Sequence, residues 1–107
     1  MTTRFGLKES TIEKICGTLA QFPQVKKAVL YGSRATGSHK DGSDIDLTLH
    51  GNESLTFDVL YEIDEQLDEL MLPYTFDLSI FKKLGDPDFI NFIQDVGVIF
   101  YEKKQDR

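Results

Sequence analysis

Apolar and polar positions along the chain change period several times, and each change marks an element. Ile12, Ile15, Leu19 and Ala20 recur at helical spacing and predict a helix over residues 9–22. Ser10 or Thr11 lies near its start and Pro23 just beyond its end. Residues 25–31 read as a strand that Gly32 closes. A loop rich in Gly, Ser and Lys follows over 33–43, with a short helix through Arg34, Ala35 and Thr36. Residues 44–50 alternate strictly, polar on one face and apolar on the other, until Gly51-Asn52 breaks the run.

A long helix over 55–70 then places Val59, Leu60, Ile63, Leu67, Leu70 and Met71 on one buried stripe, with Phe57 and Tyr61 off it on the flank. Pro73 leads into a second alternating strand over 74–80. Asp86-Pro87 starts a last helix with Phe89, Phe92, Ile93 and Val96 at helical spacing and Gly97 as its stop. Residues 98–101 form a short strand, and a charged tail closes the sequence. The order predicts an α/β (α+β) fold: a mixed β-sheet flanked by helices.

Composition changes this picture little. The 107 residues predict one domain spanning 1–107, with a modest core. No apolar run reaches membrane-spanning length, and the N-terminus lacks the apolar stretch of a signal peptide, so a cytoplasmic location is expected. One cysteine excludes an internal disulfide and a cysteine-rich zinc site, and Cys16 reads as a small buried hydrophobe. The net charge of -6 argues against a protein that coats nucleic acid, while leaving room for a single nucleotide held by a metal ion and backbone amides.

Candidate chemistry comes from three carboxylates. Asp44 and Asp46 are two apart on one strand, so both point to one face, roughly 7 Å apart. Aspartate is a poor strand former, so two in one strand need a reason. Asp77 holds the same kind of position on the later strand, and if the two strands are neighbours the three converge. Carboxylates held close repel one another, and a divalent cation removes that cost. Such oxygen ligands suit Mg2+ or Mn2+, and two ions would clamp both ends of an in-line displacement. Upstream, Gly32 permits a sharp turn and Ser33 offers a hydroxyl and exposed amides to a triphosphate, with Arg34 and Lys40 as nearby positive charges.

Gly32-Ser33, ten intervening residues and then Asp44-Ile45-Asp46 resembles the signature of the DNA polymerase beta-type nucleotidyltransferase superfamily. The full string from Gly32 to Leu47 is similar to its minimal bacterial and archaeal branch. The resemblance implies a nucleotidyltransferase fold in which Asp44, Asp46 and Asp77 are catalytic and hold the metal ions. Asp77 would help to deprotonate the attacking hydroxyl, and Gly32, Ser33 and Arg34 would bind the nucleotide. It further implies ATP as substrate, two Mg2+ (or Mn2+) ions as cofactors, and a helical HEPN protein as partner.

In the minimal branch some such pairs are toxin–antitoxin systems in which AMP is attached to a tyrosine of the HEPN toxin. The competing expectations are a catalytically weak nucleotide-binding subunit of a HEPN protein and an enzyme for an aminoglycoside-like small molecule. Arg34 and His39 also match the spacing of the HEPN Arg-x4-His nuclease motif, but both fall in the loop and the match is read as coincidence. His50, at the far end of the Asp44–Asp46 strand, is expected to be a surface residue.

Overall fold

The alternation of residues 44–50 buries Ile45, Leu47 and Leu49 completely, and the sheet is built outward from that strand. In the computed structural model, which describes residues 3–104, the strands are β1 (Thr3–Arg4), β2 (Leu7–Lys8), β3 (Val25–Tyr31), β4 (Ile45–Gly51), β5 (Phe76–Ile80) and β6 (Val98–Glu102). The helices are α1 (Glu9–Ala20), α2 (Ser33–Thr36), α3 (Phe57–Asp68) and α4 (Pro87–Val96), and a 3-10 turn spans Phe81–Lys83. The main sheet has the order β5-β4-β3-β6, with β4 and β5 parallel and the other pairs antiparallel.

One face of this sheet carries the core. Ile12, Ile15 and Leu19 of α1 and Leu60, Ile63 and Leu67 of α3 close over Ala28, Leu30, Ile45, Leu47, Leu49 and Ile80 in one apolar cluster. Each such buried leucine or isoleucine side chain stabilises the fold by roughly 1.5–3 kcal/mol. Caps set the helix starts: the Thr56 hydroxyl accepts from the Val59 amide, and the Asp86 carboxylate accepts from the Asp88 amide just ahead of Pro87. Cys16, read from the sequence as buried, is half-buried beside Phe100, whose carbonyl accepts from its thiol at 3.5 Å.

The second face carries Lys27, Val29 and Tyr31 of β3, Asp46, Thr48 and His50 of β4, and Asp77 and Ser79 of β5. Helix α4 covers part of it: Phe89 meets Tyr31 edge-on at 5.5 Å between ring centroids, and Ile93 is buried. No helix among the described residues is long and apolar enough to cross a membrane.

Two readings are corrected by the structure, and one element is added. Met71 is 86 % exposed, because α3 ends at Asp68 and the backbone turns left-handed at Met71, so the helical phase stops before reaching it. His50 is half-buried, its ring stacked on Phe81 at 4.5 Å. The hairpin of β1 and β2 has no counterpart in the pattern of the sequence; its two-residue turn, Phe5-Gly6, has positive φ at both positions, the hallmark of a tight hairpin. Of the charged tail, residues 105–107 lie outside the described residues.

Candidate active site

The parallel register of β4 and β5 sets Asp46 beside Asp77 and Thr48 beside Ser79. In the antiparallel register of β3 and β4, Tyr31 stands beside Asp46 on its other side. Asp44 sits one residue ahead of β4, and its carboxylate accepts from the Thr75 hydroxyl just ahead of β5. The Ile45 amide donates to the Thr75 carbonyl at 2.9 Å and holds these two lead-in segments together. The three aspartates predicted from the sequence therefore gather at one end of the second face.

Their surroundings are graded. Asp44 and Asp77 are exposed, whereas Asp46 is half-buried between β3 and β5. Burial, then the charges of Asp77 and Asp44, push the Asp46 carboxyl above the usual carboxylate range. Tyr31, 6 % exposed, has its phenol pushed up to about 12 by burial, with Asp77 and Asp46 adding to the rise and the nearby Ser79 hydroxyl opposing it. It stays protonated at neutral pH. Below the carboxylates, the Ser79 hydroxyl donates to the Thr48 hydroxyl at 2.9 Å, so the floor of the site is polar and internally paired.

Gly32 connects β3 to α2 at φ 80° and ψ -156°, a combination open to glycine alone. A side chain there would also run into the Asp46 carboxylate. Glycine is thus required twice: for the turn, and for the close approach of the loop backbone to Asp46. Ser33 then opens α2, where its own amide and that of Arg34 have no partner within the helix.

Arg34 departs from the sequence expectation. Its side chain is 3 % exposed, and its guanidinium donates to the Phe5 carbonyl at 2.8 Å and to the Ser43 carbonyl at 2.9 and 3.1 Å. It also lies 4.9 Å from the centre of the Tyr74 ring. A group so placed braces the loop between the hairpin turn, the residue before Asp44 and the residue before Thr75. Glycine at position 6 leaves space for the His39 ring and an Arg34 nitrogen, so the Arg34–His39 pair serves the packing of the loop on the hairpin. Lys40 is exposed.

Arg34→Lys is expected to cost about 1–2 kcal/mol in thermal or urea unfolding, because one ammonium cannot replace a fork that serves two carbonyls. An unchanged midpoint would show that the brace is dispensable. Sequence reasoning missed Tyr31, Thr48, Ser79 and Thr75 as walls of the site. The signal was the two-residue period of the strands, which puts Tyr31 and Ser79 on the polar face of Asp46 once the strand order is known.

The polymerase beta nucleotidyltransferase family model matches residues 13–106, which include the whole site. The chain belongs to this family. The nucleotidyltransferase is similar to a chain from the crystal structure of a toxin–antitoxin with AMP-PNP, at 19% identity and a TM-score of 0.68, over 92% of this chain and 76% of that one. It is similar to a chain from the structure of a tri-AMPylated HEPN toxin of Shewanella oneidensis in complex with an MNT antitoxin, at 17% identity and a TM-score of 0.66, over 89% and 72%. A chain of the MntA–HepT toxin–antitoxin gives 16% identity and a TM-score of 0.66, over 90% and 74%. At these identities the likeness is one of fold. No curated protein matches the sequence.

Proposed function

We propose that this nucleotidyltransferase is the antitoxin-type member of a pair, and that it transfers AMP from ATP to a tyrosine hydroxyl of a HEPN-type partner. The observation that carries the chemistry is the register of Asp46 with Asp77 beside the Gly32–Ser33 turn. The fold neighbours described as a toxin–antitoxin with AMP-PNP and as an AMPylated HEPN toxin bound to an MNT antitoxin support the choice of ATP and of partner. Phe57 and Tyr61, one turn apart on α3, are 52 % and 66 % exposed and offer an aromatic surface to such a partner. A cytoplasmic setting is part of the same proposal.

Asp44, Asp46 and Asp77 would hold Mg2+ or Mn2+. Among the described residues no three His, Cys, Asp or Glu side chains are placed to hold a metal ion by themselves. The donor set nevertheless fits: hard carboxylate oxygens, with the Asp46 carboxyl raised in pKa by burial and then by Asp77 and Asp44, complete a shell with phosphate oxygens. Bound there, divalent ions would supply charge stabilisation at the attacking and leaving oxygens.

The chain's own groups do the rest. The amides and hydroxyl at Ser33 orient the outer phosphates, and the glycine at 32 keeps that backbone close to Asp46. Asp77 is exposed and open to an incoming acceptor. It takes the proton as the acceptor oxygen bonds to the α-phosphorus and the bond to the pyrophosphate oxygen breaks. Tyr31, protonated and buried, closes the floor against water.

Intact-mass spectrometry of the protein encoded by the neighbouring gene, after incubation with the chain, ATP and Mg2+, tests the reading. One or more added AMP masses on the partner are expected, and none when Asp77 is replaced by Asn. A tight complex that shows no mass gain would make the chain a binding subunit instead.

A further inference from the structure

The end of the second face remote from the aspartates holds a groove that the transfer reaction does not use. Lys26, Lys27, His50, Lys103 and Lys104 line a cavity of about 690 Å³, with Glu102 as its one acidic wall among the described residues. An adjoining cavity of about 290 Å³ shares Lys27 and His50 with it and is otherwise lined mainly by Val29, Phe81, Ile93 and Ile99. On β4, His50 lies four residues beyond Asp46, roughly 13 Å along the strand.

Two features point to a ligand. In a chain of net charge -6, four of the 12 Lys and Arg residues meet in this one place. Among the described residues, Glu102 stands beside Lys27 in the β3–β6 register and balances one of them. Like charges held together in a concave, partly enclosed site raise the local potential and draw in an anion. The Lys103 ammonium is tethered to the Pro23 carbonyl at 3.3 Å, which holds it at the rim with further donors free.

The second feature is the apolar chamber. Ile99 is 55 % exposed beside it, and the stacked Phe81 and His50 rings form its junction with the lysines. Burial and Lys27 hold the imidazole below its usual pKa, so at neutral pH it is an uncharged hydrogen-bonding group. A cationic chamber joined to an apolar one selects a ligand whose anionic group is attached to an apolar ring. The volumes are those of a small-molecule site, and the net charge of the chain disfavours a long polyanion.

We propose that this two-chambered groove is a second ligand site that takes an organic phosphate of the mononucleotide class, with the phosphate among the lysines and the ring against Phe81 and Ile99. Backbone NMR of the 15N-labelled chain, titrated with AMP in EDTA, tests it. Shifts are expected at Lys27, His50, Gly51 and Ile99. The Lys27→Ala/Lys103→Ala double variant should bind about tenfold more weakly and should retain AMP transfer, whereas Asp46→Asn should bind AMP as wild type does. Inorganic phosphate alone and adenosine alone should each bind more weakly than AMP.

Shifts confined to Gly32 and Ser33, or an affinity unchanged in the double variant, would overturn the proposal. So would a poly-glutamate peptide or a single-stranded oligonucleotide that engaged the same amides more tightly than AMP. None of these outcomes bears on AMP transfer at the aspartates, which the mass measurement on the partner reads separately.

Discussion

Asp46→Asn is expected to lower the proposed AMP transfer by on the order of 10³-fold, several kcal/mol of transition-state stabilisation, while leaving the fold intact. Asp46 is the central carboxylate of the three: it lies between Tyr31 and Asp77 in register, against the backbone of Gly32. Asparagine keeps its size and loses its charge. The stability half of the prediction follows from linkage. Burial, then Asp77 and Asp44, raise the Asp46 pKa in the folded chain above its ordinary value. A raised carboxylate pKa favours the native state while the group is protonated. That contribution is fully present below the unfolded-state pKa and is lost as pH rises through the folded one.

At neutral pH without metal, the ionised Asp46 therefore opposes folding. The asparagine variant should melt at or above the wild-type temperature in EDTA at neutral pH, and this margin should vanish in acid. A variant that melted well below wild type at neutral pH would place Asp46 in the structural core of the fold and not in its chemistry. Steady-state transfer and thermal denaturation of the same preparation separate the two halves of the prediction.

Gly32→Ala is expected to damage both activity and stability. The φ of 80° with ψ of -156° lies in backbone territory that side-chain-bearing residues avoid, at a cost of about 1–3 kcal/mol. The added methyl would also displace the Asp46 carboxylate, and a shift of about 1 Å in a catalytic group lowers rates by about a hundredfold. Asp46→Asn is expected to lower activity without loss of stability, so the pair distinguishes the charge of the site from the backbone that positions it. Urea unfolding and transfer assays on Gly32→Ala read both effects. A variant with wild-type activity would show that the loop relaxes without moving Asp46.

Much of this arrangement was legible from local pattern. The alternation around Ile45, Leu47 and Leu49 gives β4 and its buried face. The spacing of Leu60, Ile63 and Leu67 gives the inner stripe of α3. Asp46 and Asp77 could be named because polar residues recur there with a period of two on strands that otherwise bury aliphatics. Strand neighbours are a long-range property, so their pairing in register was conditional until β4 and β5 were seen to be parallel.

Arg34 shows the limit of local reasoning. Beside a Gly-Ser turn a cation reads as a phosphate ligand, and only the position of the Phe5 and Ser43 carbonyls reveals that each of its three nitrogens already donates to the loop backbone. The carbonyl of Phe5 comes from a hairpin of two-residue strands, too short to carry a periodic signal. His50 was misread for a related reason: its cover, Phe81, comes from a turn 31 residues further along the chain.

The central claim is that Asp44, Asp46 and Asp77 form a metal and nucleotide site that is completed by the substrate's own phosphates. Electron paramagnetic resonance of Mn2+ added to the chain, with and without ATP, tests it most directly. Weak binding of Mn2+ alone is expected, since no three acidic, His or Cys side chains among the described residues are placed to hold an ion unaided. Binding should tighten when chain and ATP are present together, beyond what ATP does alone, and Asp46→Asn should abolish that gain. Mn2+ binding that is indifferent both to ATP and to Asp46→Asn would contradict the account.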